Sequence, residues 1–162
     1  MRNVFGEMMS EHIQKGSAST FKKLFAGFER NDMSLIKGSL TTILNDNIPF
    51  ILLSKEKDYQ LIIGAAAMSS EGKYEVYLEK ESGNGRADII MKPRRSGLPG
   101  VIIELKKTRA KKDMQSYAEC ALSQIRGKDY FRSMKGRILA YGIYFNGKNF
   151  EAVSEEINNS PN

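Results

Sequence analysis

The segment 101–106 reads Val101-Ile102-Ile103-Glu104-Leu105-Lys106 and combines an apolar run with two charged residues. Such a run, rich in β-branched residues, is typical of a strand buried at the centre of a sheet. Glu104 and Lys106 are two residues apart, so both side chains project from the same face of that strand. Charges inside an apolar strand carry a desolvation cost unless they are paired or bind a metal ion. The segment therefore predicts both the centre of the fold and a candidate site.

A second predicted strand, residues 86–91, precedes the central one and carries Asp88 among apolar neighbours. Residues 74–78 alternate between apolar and polar types, which predicts a third, half-buried strand. The sequence Ser-Gly-Asn-Gly at 82–85 is a strong turn signal between these two strands. The three strands would form a meander that presents Asp88, Glu104 and Lys106 to one side of the sheet.

Helical periodicity flanks this meander on both sides. Apolar residues recur at helical spacing after Thr20, which is a candidate cap, over residues 33–46, and from Glu56 onwards. A long helix is predicted at about 113–131, then a strand at 139–145, a turn at Asn146-Gly147 and a strand from Asn149. This order predicts an α/β fold: a mixed central sheet of about four to five strands flanked by helices.

The length of 162 residues suits one domain with a real core. We expect a flexible N-terminal arm at 1–20, a helical lead-in at 21–50, the main domain at 51–155 and a flexible tail at 156–162. The single cysteine, Cys120, excludes an internal disulfide and fits a cytoplasmic setting. Because Cys120 lies in an apolar helical pattern, we predict that it packs in the core. No apolar run approaches the ~20 residues that a membrane span needs, so we expect no membrane partner.

The chemistry of the candidate site follows from its donor types. Two carboxylates are hard oxygen ligands that suit Mg²⁺ or Mn²⁺, and a neighbouring lysine can stabilise negative charge developing on a phosphate. The alternative is that Glu104 and Lys106 form a surface ion pair on a half-exposed strand. Spacing alone does not decide between these two interpretations.

The surrounding motifs resemble a known family. Residues 81–90 read Glu-Ser-Gly-Asn-Gly-Arg-Ala-Asp-Ile-Ile, ahead of the strand that ends in Glu104-Leu105-Lys106. With Ala-Leu-Ser-Gln-Ile at 121–125 and Gly-Ile-Tyr-Phe at 142–145, this pattern resembles the PD-(D/E)XK nuclease superfamily. More narrowly, it is similar to the nuclease-like C-terminal domain of bacterial AAA-ATPase-like proteins, over roughly residues 35–153. The resemblance implies a restriction-endonuclease-like core and a metal-dependent nuclease, with DNA as the expected substrate.

The resemblance also implies roles for individual residues. Asp88 and Glu104 would bind Mg²⁺ or Mn²⁺, Lys106 would be the catalytic lysine, and Gln124 would reach the site from the long helix. Glu56 fits the family's Glu-x-x-Tyr segment and is a candidate for a further metal or water ligand. The alternative for Glu56 is an exposed acid stabilised by the dipole at a helix N-terminus.

Positive charge supports a polyanionic partner, because the chain carries a net charge of +6 and a pI of about 9.4. We predict nucleic-acid contacts from a basic rim and from a tyrosine that follows the long helix: Arg86, Lys92, Arg94, Arg95, Lys107, Arg109 and Tyr130. The alternatives are a solvated charged loop that keeps the protein in solution and a tyrosine used for packing.

No Walker A motif occurs in the sequence, so we expect a free-standing or truncated version of the longer relatives. An ATPase-like protein and a second copy of the chain are therefore candidate partners. A non-catalytic nucleic-acid-binding or protein-interaction domain that retains the nuclease fold is the alternative function.

Overall fold

The computed structural model of the protein describes residues 18–47, 53, 55–70, 72–78, 87–109, 112–127, 131 and 134–159. The elements, in chain order, are α1 (Ala18–Arg30), α2 (Met33–Thr42) with a π-helical turn (Ile43–Asn47), α3 (Glu56–Met68), β1 (Tyr74–Leu78), β2 (Ile89–Pro93), β3 (Gly100–Lys107), α4 (Met114–Gly127), β4 (Gly136–Asn146) and β5 (Asn149–Asn159). The predicted turn at 82–85 and most of the predicted N-terminal arm lie outside the described residues.

The five strands form one sheet in the order β1-β2-β3-β4-β5. Neighbouring strands are antiparallel except β3 and β4, which run parallel. A parallel connection needs a crossover, and α4 provides it between β3 and β4. The mixed α/β fold predicted from the order of elements is therefore confirmed, with β3 as the central strand.

The two faces of β3 bury different groups. Val101, Ile103 and Leu105 belong to the large core under α1, α2 and α3, whereas Ile102 belongs to a smaller core with Ile125 of α4. Side chains alternate along a strand, so Glu104 and Lys106 share the face of Ile102. Both charged residues consequently project from one face, as the spacing predicted, and the structure shows that this is the face against α4.

The predicted start of the first helix and the predicted start of the C-terminal tail both differ from the structure. Helix α1 already begins at Ala18, so Thr20 lies inside the helix and does not cap it. The expected flexible tail from residue 156 is wrong over 156–159, which pair with the first residues of β4. Ile157 is 6% exposed and joins the smaller core, so the apolar contact holds this polar stretch in the sheet.

Three further predictions on the second half of the chain need correction. Cys120 is exposed, because the buried positions of α4 are Ala118, Ala121 and Ile125 and Cys120 falls outside that stripe. Helix α4 spans Met114–Gly127, and Phe131, the predicted last residue, is not part of it. Strand β4 begins at 136, earlier than the predicted 139, since β5 extends far enough to pair with these residues.

None of the helices in the described part of the chain is long and apolar enough to cross a membrane.

Tyr59 joins α3 to the β4–β5 turn. Its hydroxyl donates to the carbonyl oxygen of Gly147 at 2.8 Å, and its ring stacks on Phe145 with the centroids 4.2 Å apart. Burial, reinforced by the Asp58 carboxylate, raises the pKa of Tyr59 from 10.0 to about 12. The neutral phenol is thus favoured in the folded state, and its contribution to stability is complete below pH 10.

We expect that contribution to disappear as the pH rises from 10 to 12. Urea unfolding of the parent and Tyr59→Phe across this range tests it, because the variant keeps the ring and cannot titrate there. The difference in unfolding free energy between the two proteins should narrow with rising pH. A difference that stays constant would contradict the assignment.

Candidate functional site

Asp88 and Glu104 lie opposite each other on neighbouring strands. The antiparallel register pairs Ile89 with Ile103, and one further step along this register sets Asp88 against Glu104. Residues opposite each other in an antiparallel pair project from the same face, with Cβ atoms about 4.5–5.5 Å apart. Asp88 directly precedes β2, although the sequence predicted it inside the strand. The two carboxylates are therefore neighbours on the α4 side of the sheet.

Asp88 is held from two directions. Its Oδ2 accepts a hydrogen bond from the backbone N–H of Leu105 at 2.7 Å. Its carbonyl oxygen accepts from Nε2 of Gln60, a buried residue of α3, at 2.8 Å. These bonds fix both the backbone and the carboxylate of Asp88 where β2 begins.

Gln124 lies between Glu104 and Lys106. Amide nitrogen and oxygen have nearly the same shape, so their orientation follows from the hydrogen-bond partners. In the orientation that satisfies both neighbours, Gln124 donates to Oε1 of Glu104 at 3.0 Å and accepts from Nζ of Lys106 at 2.7 Å. Glu104 is only 8% exposed, which does not match the surface ion pair considered above. The acid and the lysine are instead bridged by an amide from α4.

Gly142 allows α4 to approach the sheet closely enough for this bridge. It pairs with Glu104 in the parallel register between β3 and β4. A Cβ atom at this position would overlap the backbone of α4 at Ala118 and Leu122. The absence of a side chain therefore lets α4 lie against β4, and Gln124 follows two residues after Leu122.

An aromatic pair flanks Lys106. Tyr144 is its neighbour in the register of β3 and β4, and the Tyr144 hydroxyl shares a 2.8 Å hydrogen bond with Oγ1 of Thr108. The ring of Tyr144 stacks on that of Tyr117, with centroids 5.0 Å apart, and Tyr117 is 36% exposed. The sequence-based reasoning missed this pair, although the spacing of Gly142 and Tyr144 repeats that of Glu104 and Lys106 and could have indicated it.

Glu56 lies at the N-terminus of α3, four residues before Gln60. Residues four apart share one face of a helix, so Glu56 is on the side of α3 from which Gln60 contacts Asp88. Within the described residues, no group of three or more Asp, Glu, His or Cys side chains comes together. The structure thus brings together two carboxylates, Asp88 and Glu104, and the role of Glu56 stays a prediction.

The predicted basic rim divides between the two ends of the sheet. Lys107 and Arg109 follow Lys106 at the end of β3 that lies beside the two carboxylates, and the alternation of side chains directs Lys107 toward the opposite face of the sheet. Lys92, Arg94 and Arg95 lie at the other end, because β2 and β3 are antiparallel and the loop joining them is remote from Asp88. Lys92 lies four steps along the strand from Asp88, a distance of about 13 Å. These three residues therefore do not rim the site, and predicted contacts Arg86 and Tyr130 lie outside the described residues.

Comparisons with known proteins identify the family. A family model of the PD-(D/E)XK nuclease superfamily matches residues 54–155, well over half of the chain, including both carboxylates and the lysine. A comparison with curated proteins finds no match. Among solved structures, the chain is similar to one titled "Crystal structure of SSO0001", with 15% sequence identity and a TM-score of 0.37 over 98% of this chain and 77% of that chain. Because the family match spans α3 to β5, the chain belongs to the PD-(D/E)XK nuclease superfamily.

Proposed function

We propose that this protein is a divalent-metal-dependent nuclease that hydrolyses phosphodiester bonds in DNA. The observation that carries the proposal is the bridge from Glu104 through Gln124 to Lys106, on the strand that faces Asp88. Burying a carboxylate in a central strand costs free energy that apolar packing would avoid. A catalytic role explains why a carboxylate is buried at this position, and the family indicates the class of reaction, which is nucleic-acid hydrolysis.

Asp88 and Glu104 are the proposed metal ligands. Mg²⁺ is typically held by one or two carboxylates and keeps several waters, so two acids on adjacent strands fit it, and Mn²⁺ accepts the same oxygen donors. Glu56 is proposed as an additional ligand, either direct or through a water molecule. When bound, the metal ion polarises the phosphate and lowers the pKa of a water molecule, which makes a nucleophile available near neutral pH.

Lys106 is the proposed catalytic lysine. Its ammonium group stabilises the negative charge that develops on the phosphate oxygens as the bond to the leaving group breaks. Gln124 acts through its neighbours: its oxygen holds Nζ of Lys106 while its nitrogen orients the carboxylate of Glu104. Arg109, just beyond the same end of β3, is proposed to bind the phosphates that flank the cleaved bond, whereas Lys107 projects from the opposite face of the sheet. A cytoplasmic setting, an ATPase-like partner and a homodimer stay predictions from the sequence.

A cleavage assay tests the proposal. End-labelled single-stranded, duplex and branched DNA, and a matched RNA, are incubated with the purified protein in Mg²⁺, in Mn²⁺ and in excess chelator. We expect shortened DNA products with either metal and none with the chelator. The proposal fails if folded protein cuts no DNA with either ion. Salt-dependent DNA binding without cleavage would support the non-catalytic binding domain in its place.

A further inference from the structure

A basic cleft of about 670 Å³ lies at the end of the sheet remote from Asp88 and Glu104. One wall is the loop that joins β2 to β3, and the other is the segment that leads into β4. Five basic residues from these two walls line it: Lys92, Arg94, Arg95, Lys135 and Arg137. The second wall contributes two cations that are about forty positions away in the sequence, so the folded chain creates a charge cluster that no local run encodes.

Most of this positive charge is not compensated. Arg94 contacts Glu75 at 3.6 Å, and Arg137 contacts Oε1 of Glu156 at 2.9 Å. Arg95 and Lys135 form no ion pair with any residue in the described part of the chain. Surface cations that lack acidic neighbours raise the local positive potential and attract polyanions.

Both walls are tied to the sheet. The hydroxyl of Tyr74 in β1 donates to the carbonyl oxygen of Pro99 at 2.8 Å, which anchors the β2–β3 loop. Asn159, at the end of β5, donates to the carbonyl oxygens of Phe131 at 3.2 Å and Met134 at 2.6 Å. The cleft is thus held in shape by buried and partly buried contacts, and binding would require little ordering of the backbone.

A stretch of sheet surface connects the cleft with the carboxylates. Helix α4 packs against β3, β4 and β5, on the face that also carries Ile90 and Lys92 of β2 and Asp88 just before it. Tyr77 of β1 pairs with Ile90 and is 47% exposed. It therefore lies midway between Asp88 and Lys92, and the Nζ of Lys92 lies over one face of its ring, 5.2 Å from the centroid.

We propose that the cleft is a second phosphate-binding site, which holds the backbone of a single-stranded nucleic acid at a distance from the bond to be cut. The nucleic acid runs from the cleft across β1 and β2 to the carboxylates, and one of its bases stacks on Tyr77. Guanidinium and ammonium groups bind phosphate through charge-assisted hydrogen bonds. Exposed aromatic rings beside basic residues are typical platforms on which unpaired bases stack. This inference rests on the proposed function, because it assigns the path of the same substrate.

The geometry favours a single strand over a duplex. An exposed tyrosine ring on a sheet offers a stacking surface that only an unpaired base can use, since duplex bases are already stacked on each other. Asp88 and Lys92 are about 13 Å apart along the strand, which corresponds to at most about four nucleotides at a rise of 3.4 Å. The two sites are thus close enough for one short oligonucleotide to occupy both.

Binding without cleavage tests the proposal. The affinity of labelled oligothymidylates of increasing length is measured by fluorescence anisotropy in chelator, over a series of salt concentrations. Arg95→Gln/Lys135→Gln is compared with the parent and with Lys23→Gln/Arg30→Gln, which removes the same charges from exposed positions of α1. We expect roughly tenfold weaker binding by the cleft variant and a salt slope smaller by about 1.4, since each lost contact to a single strand removes about 0.7. The control should match the parent.

A second variant tests the base platform. Tyr77→Ala should weaken oligothymidylate binding by about tenfold and leave duplex binding unchanged.

Equal affinities and salt slopes in the parent, the cleft variant and the control would overturn the proposal. Equal losses of affinity in the cleft variant and the control would also overturn it. Losses confined to duplex DNA would overturn the assignment to a single strand, and so would the absence of any DNA binding by the parent.

The outcomes separate this inference from the proposed nuclease activity. Cleft-dependent binding by a protein that cuts nothing supports the cleft and contradicts the nuclease. Metal-dependent cleavage with the same KM in the parent and in Arg95→Gln/Lys135→Gln overturns the cleft and leaves the nuclease standing.

Discussion

Lys106→Met is expected to lower kcat for DNA cleavage by about 10²- to 10³-fold, the loss typical of removing one preorganised donor from a developing charge. Methionine keeps the unbranched apolar stem beside Tyr144 and removes the ammonium group that lies 2.7 Å from the amide oxygen of Gln124. The fold should therefore survive while the interaction made in the transition state is lost.

Single-turnover cleavage at saturating protein measures this effect without interference from product release. Lys23→Met is the matched control, because it makes the same change at an exposed position on α1, across the sheet from the site. We expect the control to cut at the parent rate and both variants to unfold at the parent temperature. If Lys106→Met cut as fast as the parent, Lys106 would not be the catalytic lysine.

The part of the site on β3 could be predicted because strand geometry is local. An apolar run interrupted at Glu104 and Lys106 specifies a buried strand, and the spacing of two fixes the shared face without any tertiary information. The opposition of Asp88 and Glu104 needed one further fact, the antiparallel pairing of two strands joined by a short loop. The order of the elements similarly predicted the mixed sheet, since a helix between two strands favours a parallel crossover.

The sequence was less informative wherever long-range packing decides the outcome. Cys120 has apolar neighbours in sequence, yet the stripe that faces the sheet passes through Ala118 and Ala121. Residues 156–159 look like a polar tail, and only the position of β4 shows that Ile157 has a core to enter. The shared cleft of Arg95 and Lys135 could not be predicted either, because nothing local relates the β2–β3 loop to the segment before β4.

The remote position of Lys92 and Arg95 follows from where the two acids stand in their strands. Asp88 stands five residues before the end of β2, and Glu104 stands four residues after the start of β3. In an antiparallel pair these two acids lie together at one end, so the loop between the strands must lie at the other. Nearness in sequence to a catalytic strand was therefore a poor guide to nearness in space.

Gly142→Ala is expected to destabilise the protein by about 1–3 kcal/mol, the usual cost of adding a methyl group to a well-packed interior. The added Cβ would meet backbone atoms of Ala118 and Leu122, which cannot rotate away as a side chain can. Helix α4 must then move away from β4, and Gln124 moves with it. We consequently expect cleavage to fall even under conditions where the variant is fully folded.

Gly38→Ala is the matched control for this change. Gly38 lies inside α2, where an added Cβ would meet nothing within 4 Å, so the same substitution should stabilise the protein by about 0.5–1 kcal/mol through helix propensity. Urea unfolding gives both free energies, and single-turnover cleavage gives both activities. The opposite signs would separate the contact at Gly142 from the general effect of alanine. If Gly142→Ala were as stable and active as the parent, the close approach of α4 would not be what positions Gln124 between Glu104 and Lys106.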